Sequence, residues 1–90
     1  MNHVTAYRIL ARTLEKYRAR DFSDLASSAG KTISEEIRHD DGTLFHIDIA
    51  VRWVNDGVHR NILLRGRIDA AGAVDFDPLE EKLIIRDPTG

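Results

Sequence analysis

The chain contains no cysteine, which rules out a disulfide framework, a thiolate metal site and a cysteine nucleophile. No stretch approaches the roughly 18 consecutive apolar residues of a membrane span. The first residues carry neither the apolar core nor the small-residue cleavage site of a secretory signal. These absences leave a soluble, unexported protein of the reducing cytoplasm as the expectation. Also lacking are a serine in a nucleophile motif and a glycine-rich loop with phosphate-binding spacing. Nothing in the chain calls for a cofactor.

What is present suits an ordinary globular domain. Of 90 residues, 42% are hydrophobic and 31% charged, which predicts one domain spanning residues 1–90. At this size nearly every large apolar residue is needed in a single core, and little remains to line a deep pocket. The net charge of -2 conceals an asymmetry. Arg8, Arg12, Lys16, Arg18 and Arg20 face Glu15 alone within residues 1–20, so that segment carries +4 and the remainder -6. A basic helix can mark a membrane-surface or nucleic-acid contact. Complementary charge within one small fold is the simpler account.

Tyr7, Leu10, Leu14 and Tyr17 recur at helical spacing and predict an amphipathic α-helix over about residues 3–19, with that stripe turned to the core. Phe22, Leu25, Ala26 and Ala29 suit a short second helix, with Ser23 as its N-cap and Gly30 ending it in a left-handed conformation. Beyond Gly30 the period becomes two. Gly42, Gly57 and Gly72 divide the rest into strand-length segments, which predicts a β-meander. Asp56-Gly57 suits a two-residue type I′ turn. Asp40-Asp41-Gly42 and Ala70-Ala71-Gly72 suit three-residue loops with a left-handed glycine.

Loop type fixes register. The turns predict Ile33 opposite Ile49 and Ile37 opposite Phe45, then Phe45 opposite Ile68, Ile49 opposite Leu64 and Val51 opposite Ile62. The last loop predicts Ile68 opposite Val74 and Gly66 opposite Phe76. Residues 78–86 are ambiguous. Asp77-Pro78-Leu79-Glu80 has the form of a helix start, whereas Leu83-Ile84-Ile85 favours a strand; the reading adopted is a proline-started turn and a short final strand. The fold expected is therefore α+β: an N-terminal amphipathic helix, plus a short second helix, packed on a four- to five-stranded antiparallel β-meander.

These registers set out the face opposite the core. One row reads Glu36, His46, Arg67, Asp75 and the next Ser34, Asp48, Arg65, Asp77, with Asp48 against Arg65 and Arg67 against Asp75. That is a cross-strand charge lattice of the kind found on a solvated antiparallel surface. Glu36, His46 and Asp48 are acceptable ligand types for a divalent metal, but the adjoining arginines oppose a cation, and the expectation is no metal. Acid-base catalysis through His46 would need a concave, partly dry site, which an open sheet does not supply. Nucleic acid is also disfavoured, because Phe45, Trp53 and Phe76 have core parity and cannot stack on bases among Arg52, Arg60, Arg65 and Arg67. Beyond the lattice lies a row of Thr32, Ala50, Leu63 and Leu79, with Val54 nearby. This small apolar patch on a charged face is the candidate interface.

Asp41-Gly42 ahead of a strand, Trp53-Val54-Asn55-Asp56-Gly57 at a turn, Arg67-Ile68-Asp69 before Gly72, Phe76-Asp77-Pro78-Leu79 and the closing Asp87-Pro88-Thr89-Gly90 together resemble a group of small bacterial helix-plus-meander domains of unknown function. The resemblance covers most of the chain after residue 20 and implies the fold alone, since its motifs are turn and core residues. The functional expectation is a protein-interaction module that self-associates as a homodimer or engages another protein. The alternative is a small enzyme or ligand-binding domain using the Glu36, His46, Asp48 and Arg67 face.

Overall fold

Helix α1 spans His3–Arg18, α2 spans Phe22–Ser27, and the strands are β1 (Thr32–Arg38), β2 (Leu44–Asn55), β3 (Arg60–Ala70) and β4 (Leu79–Ile85). They are seen in a computed structural model that describes residues 3–55, 57, 60–71 and 77–88. The strands form one antiparallel sheet in the sequential order β1-β2-β3-β4, so the α+β helix-plus-meander architecture holds. The molecule measures 44 × 20 × 20 Å. Its long axis matches the 12 residues of β2, which at about 3.3 Å each extend ~40 Å. Among the described residues no helix is long and apolar enough to cross a membrane.

The helix docks through a stripe rotated from the expected one. Ala6, Leu10, Thr13, Leu14 and Tyr17 are buried, whereas Tyr7 is 51% exposed. The small Ala6 lets the first turn lie close to the sheet, and Tyr7 is thereby turned to the side that faces β4. Thr13 is satisfied in the core because its hydroxyl donates to the Ile9 carbonyl at 2.8 Å. Lys16 and Arg18 sit in the last turn, where cations suit the helix dipole. The closest approach is at Gly66, where a Cβ would lie 2.8 Å from Leu10 Cδ1 and 3.1 Å from Leu14 Cδ2. A glycine here is a seat for the helix.

Helix α2 starts at Phe22 with Asp21, not Ser23, in the N-cap position. It closes one end of the core with Leu25, and Phe22 tilts against Trp53 at 6.0 Å between ring centres. Gly30 does adopt the left-handed φ of +89°. Its amide donates to the Val51 carbonyl at 2.7 Å, which ties the end of the helical segment to β2.

The β1-β2 hairpin has the expected register, Ile33 opposite Ile49 and Ile37 opposite Phe45. Gly42 is left-handed at φ +88°, and His39 and Thr43 close the loop by a 2.8 Å backbone hydrogen bond. The β2-β3 register is displaced by two residues from the expected one. Phe45 faces Ala70, Ile49 faces Gly66, Val51 faces Leu64, and the last pair is Asn55 with Arg60. Four residues, not two, therefore connect these strands, and Asp56, Val58 and His59 of that turn lie outside the described residues. The side-chain period of a strand is two, so a slip of two leaves every residue on its expected face and changes only its neighbours.

The β3-β4 pairing corrects a further expectation. Ile68 faces Leu79 and Gly66 faces Glu81, so neither pairs with Val74 or Phe76, which lie outside the described residues along with Asp75. The connection from Ala71 to Pro78 is longer than the three-residue loop that Ala70-Ala71-Gly72 suggested. The segment after Pro78 is a strand, as the Leu83-Ile84-Ile85 run indicated. With Leu79 opposite Ile68, Leu79 points to the helix side and packs against the core.

Candidate functional site

Both helices cover one face of the sheet, and no described element covers the other. The pairings build that outer face row by row: Glu36, His46, Asp69; then Ser34, Asp48, Arg67, Glu80; then Thr32, Ala50, Arg65, Lys82; then Arg52, Leu63, Ile84; then Val54, Asn61. Asp48 thus stands opposite Arg67 rather than Arg65, and His46 opposite Asp69 rather than Arg67. Arg65 faces Ala50 and Lys82 and makes its ion pair diagonally, Nε to Glu80 Oε1 at 3.4 Å. Asp77 precedes β4 and takes no place in the row. Asp75 lies outside the described residues.

The polar end of this face centres on His46. Its Nε2 lies 3.1 Å from Asp48 Oδ1 and its Nδ1 lies 3.9 Å from Glu36 Oε1. The Ser34 hydroxyl donates to the same Asp48 oxygen at 2.7 Å. A hydroxyl, an imidazole and two carboxylates therefore meet as the two-residue spacing of His46 and Asp48 suggests. They meet on an open surface, with the imidazole side chain 44% exposed. Among the described residues no group of three or more potential metal ligands converges.

Two further basic residues of the sheet are engaged within the chain. Arg52 donates to the carbonyls of Lys31 and Val51, each at 2.9 Å. The Arg60 guanidinium stacks 4.2 Å above the Trp53 ring, a cation-π contact. Among the described residues, the clefts along α1 include three. One lies against β4, beside Tyr7, Leu14, Glu81 and Leu83; one lies beside Arg8, Arg12 and His39; one lies beside Thr13, Lys16 and Ile37. None is lined by Glu36, His46, Asp48 or Arg67.

The apolar patch survives in altered form. Ala50, Val54 and Leu63 are half-buried on the outer face, but Leu79 belongs to the core side. Its place is taken by Ile84, which pairs directly with Leu63 and is 56% exposed. The signal for Ile84 lay in the alternation of β4: Leu79, Glu81, Leu83 and Ile85 share one face, leaving Ile84 with Glu80 and Lys82 on the other.

Glu35 has inward parity on the first edge strand, where a charge discourages uncontrolled edge pairing, and it is held there. Lys16 Nζ donates to Glu35 Oε1 at 2.9 Å and the Tyr17 hydroxyl to Oε2 at 3.0 Å. The Lys16 hydrogen bond, supported by that of Tyr17 and opposed by burial, holds the Glu35 carboxyl below its ordinary range. Burial first, then the hydrogen bond to Glu35, raises the Tyr17 phenol.

Comparison of the chain with protein-family models, with curated proteins and with solved structures found no match in any of the three.

Proposed function

We propose that the chain is a small protein-interaction module that self-associates through the outer face of its sheet. One observation carries this reading: the half-buried Leu63 and the exposed Ile84 form an apolar cross-strand pair, flanked by Ala50 and Val54, on a face that no described element covers. Lone exposed apolar residues need no explanation, but a contiguous set on an otherwise charged surface favours a contact. A twofold interface brings a patch against itself, so it must be self-complementary. The charged residues nearest the apolar centre of Leu63 and Ile84 are the cations Arg52, Arg65 and Lys82, with the carboxylates of Asp48 and Glu80 one row farther out, so opposite signs can meet only in the outer rows, as a polar rim.

Sedimentation tests the reading. The wild type is expected to be dimeric and Leu63→Lys monomeric at the same concentration. A dimer undiminished in Leu63→Lys, or a wild type still monomeric at millimolar concentration, removes the proposal.

A second reading, a ligand-binding or catalytic use of the Glu36, His46, Asp48 and Arg67 surface, has one observation in its favour: both ring nitrogens of His46 lie near carboxylates. A small molecule that raises the thermal midpoint of the wild type but not of His46→Ala would favour this reading over the module.

A further inference from the structure

The two edges of the sheet carry the same device in two states. On β1, Glu35 points to the helix side and is capped by Lys16 and Tyr17 from α1. On β4, the outermost strand at the other side among the described residues, Glu81 also has helix-side parity, lying opposite Gly66. Among the described residues no hydrogen bond or ion pair reaches the Glu81 carboxylate. Beside it, α1 and β4 enclose a cleft of about 190 Å³ whose apolar lining comes from Tyr7, Ala11, Leu14 and Leu83. Glu15, ion-paired with Arg18 at 3.4 Å, and Lys82 complete the lining, and Tyr7 is 51% exposed.

We propose that the β4 edge and this cleft take an extended segment of a partner polypeptide that carries a lysine or arginine two residues from an aliphatic side chain. An edge strand leaves alternate backbone donors and acceptors unpaired, and an added strand satisfies them along its whole length. The side chains of that strand alternate, so residues two apart both face the helix side. The cation reaches Glu81 as Lys16 reaches Glu35 on the opposite edge, and the aliphatic group enters the cleft between Tyr7 and Leu83. The cleft is smaller than the ~300–1,000 Å³ of small-molecule sites and suits a single side chain. The added strand would run beside Ile84 of the same β4, but its anchoring groups lie on the helix side and the patch of Leu63 and Ile84 on the outer face, so Leu63→Lys, which removes the patch, separates the two surfaces.

The probe is the peptide acetyl-Thr-Lys-Thr-Leu-Thr-Val-Thr-amide, which places lysine, leucine and valine on one face. A control peptide has glutamate in place of lysine. Both are titrated into the ¹⁵N-labelled full chain, with Glu81→Gln as the variant. The lysine peptide is expected to shift the amides of residues 79–85 and of Tyr7 and Ala11 saturably and to slow hydrogen exchange along β4. The glutamate peptide is expected to bind about fivefold more weakly, the upper range for an exposed ion pair, and Glu81→Gln to abolish the preference. Three results overturn the proposal. One is no shift at millimolar lysine peptide, and another is equal binding of the two peptides by the wild type. The third is a β4 shift that follows protein concentration alone and persists in Leu63→Lys, which assigns the edge to a second copy.

Discussion

Replacing Gly66 with alanine places one methyl group where the helix meets the sheet. The new Cβ would stand 2.8 Å from Leu10 Cδ1, 3.1 Å from Leu14 Cδ2 and 3.3 Å from Ile49 Cδ1. Leu10 and Ile49 are fully buried and Leu14 is 3% exposed. All three are side-chain ends in a buried layer, so the leucines, or the helix that carries them, must give by a few tenths of an ångström. Overpacking of this kind costs about 1–3 kcal/mol. The loss of unfolded-state freedom on going from glycine to alanine offsets about 0.4–1 kcal/mol of that. The net expectation is a loss of about 1–2 kcal/mol, a large part of the ~5–13 kcal/mol that 90 residues supply at ~0.05–0.15 kcal/mol each. At ~4–8 °C per kcal/mol for a chain of this size, the thermal midpoint falls by about 5–15 °C.

Urea denaturation with calorimetry measures this directly, and a double-mutant cycle separates contact from propensity. Leu10→Ala alone is expected to cost about 2–5 kcal/mol. Combined with Gly66→Ala it should cost less than the two apart, by about 1 kcal/mol, because the deleted leucine carbons vacate the space that the new methyl enters. A neutral or stabilising Gly66→Ala, with an additive double mutant, would refute the docking of α1 over Gly66.

Other expectations follow from the same contacts. Leu14→Ala should also lose about 2–5 kcal/mol in denaturation, whereas Tyr7→Ala, at an exposed position, should change stability by less than about 0.5 kcal/mol; equal losses at the two positions would contradict the observed helix face. Because the Glu35 carboxyl is held below its ordinary range, chiefly by Lys16, its stabilisation is full above the unfolded carboxylate pKa and is lost as pH falls through the folded one. Glu35→Gln should therefore flatten the acid limb of a stability-pH profile, and an unchanged limb would show that the Lys16 contact does not persist in solution. A chelator should leave the thermal midpoint unchanged and stoichiometric zinc should not raise it, since Arg67 stands across from Asp48; zinc stabilisation abolished by His46→Ala would reverse that reading of the face.

Much of the fold was legible because it rests on period and loop chemistry. The helical stripe, the switch to alternation after Gly30 and the three-residue loop at Gly42 each have a local physical cause, and each appears in the structure. The rotation of α1 was not legible. Tyr7 and Ala6 are adjacent on the helix, and which of them faces the sheet depends on how the helix seats through Leu10 and Leu14 over Gly66, a tertiary contact. The start of β4 was not legible either. Gly72 gives a turn signal that suits an immediate hairpin, yet the strand that pairs with Ile62–Ile68 of β3 begins after Pro78, with seven residues of regular alternation.

The candidate site was less legible than the fold for a reason visible at Asp48. Which face a residue occupies depends on parity, and parity survives a two-residue slip; which neighbours it has depends on the register itself, and every neighbour changes. Asp48 therefore remained on the outer face while its opposite residue changed from Arg65 to Arg67. The pair His46 and Asp48 was immune, because both lie on one strand and their 3.1 Å contact needs no register. Contacts within a strand are thus the firmest functional inference a β sequence offers, and contacts across strands depend on each intervening turn. The apolar patch shows both sides of this rule. Ala50 and Val54 share β2 and kept their relation, whereas Leu63 lost Leu79 and gained Ile84 once β4 took its register. That exchange strengthened the patch, since Ile84 is more than half exposed and sits directly against Leu63 on a face where its other strand neighbours are charged.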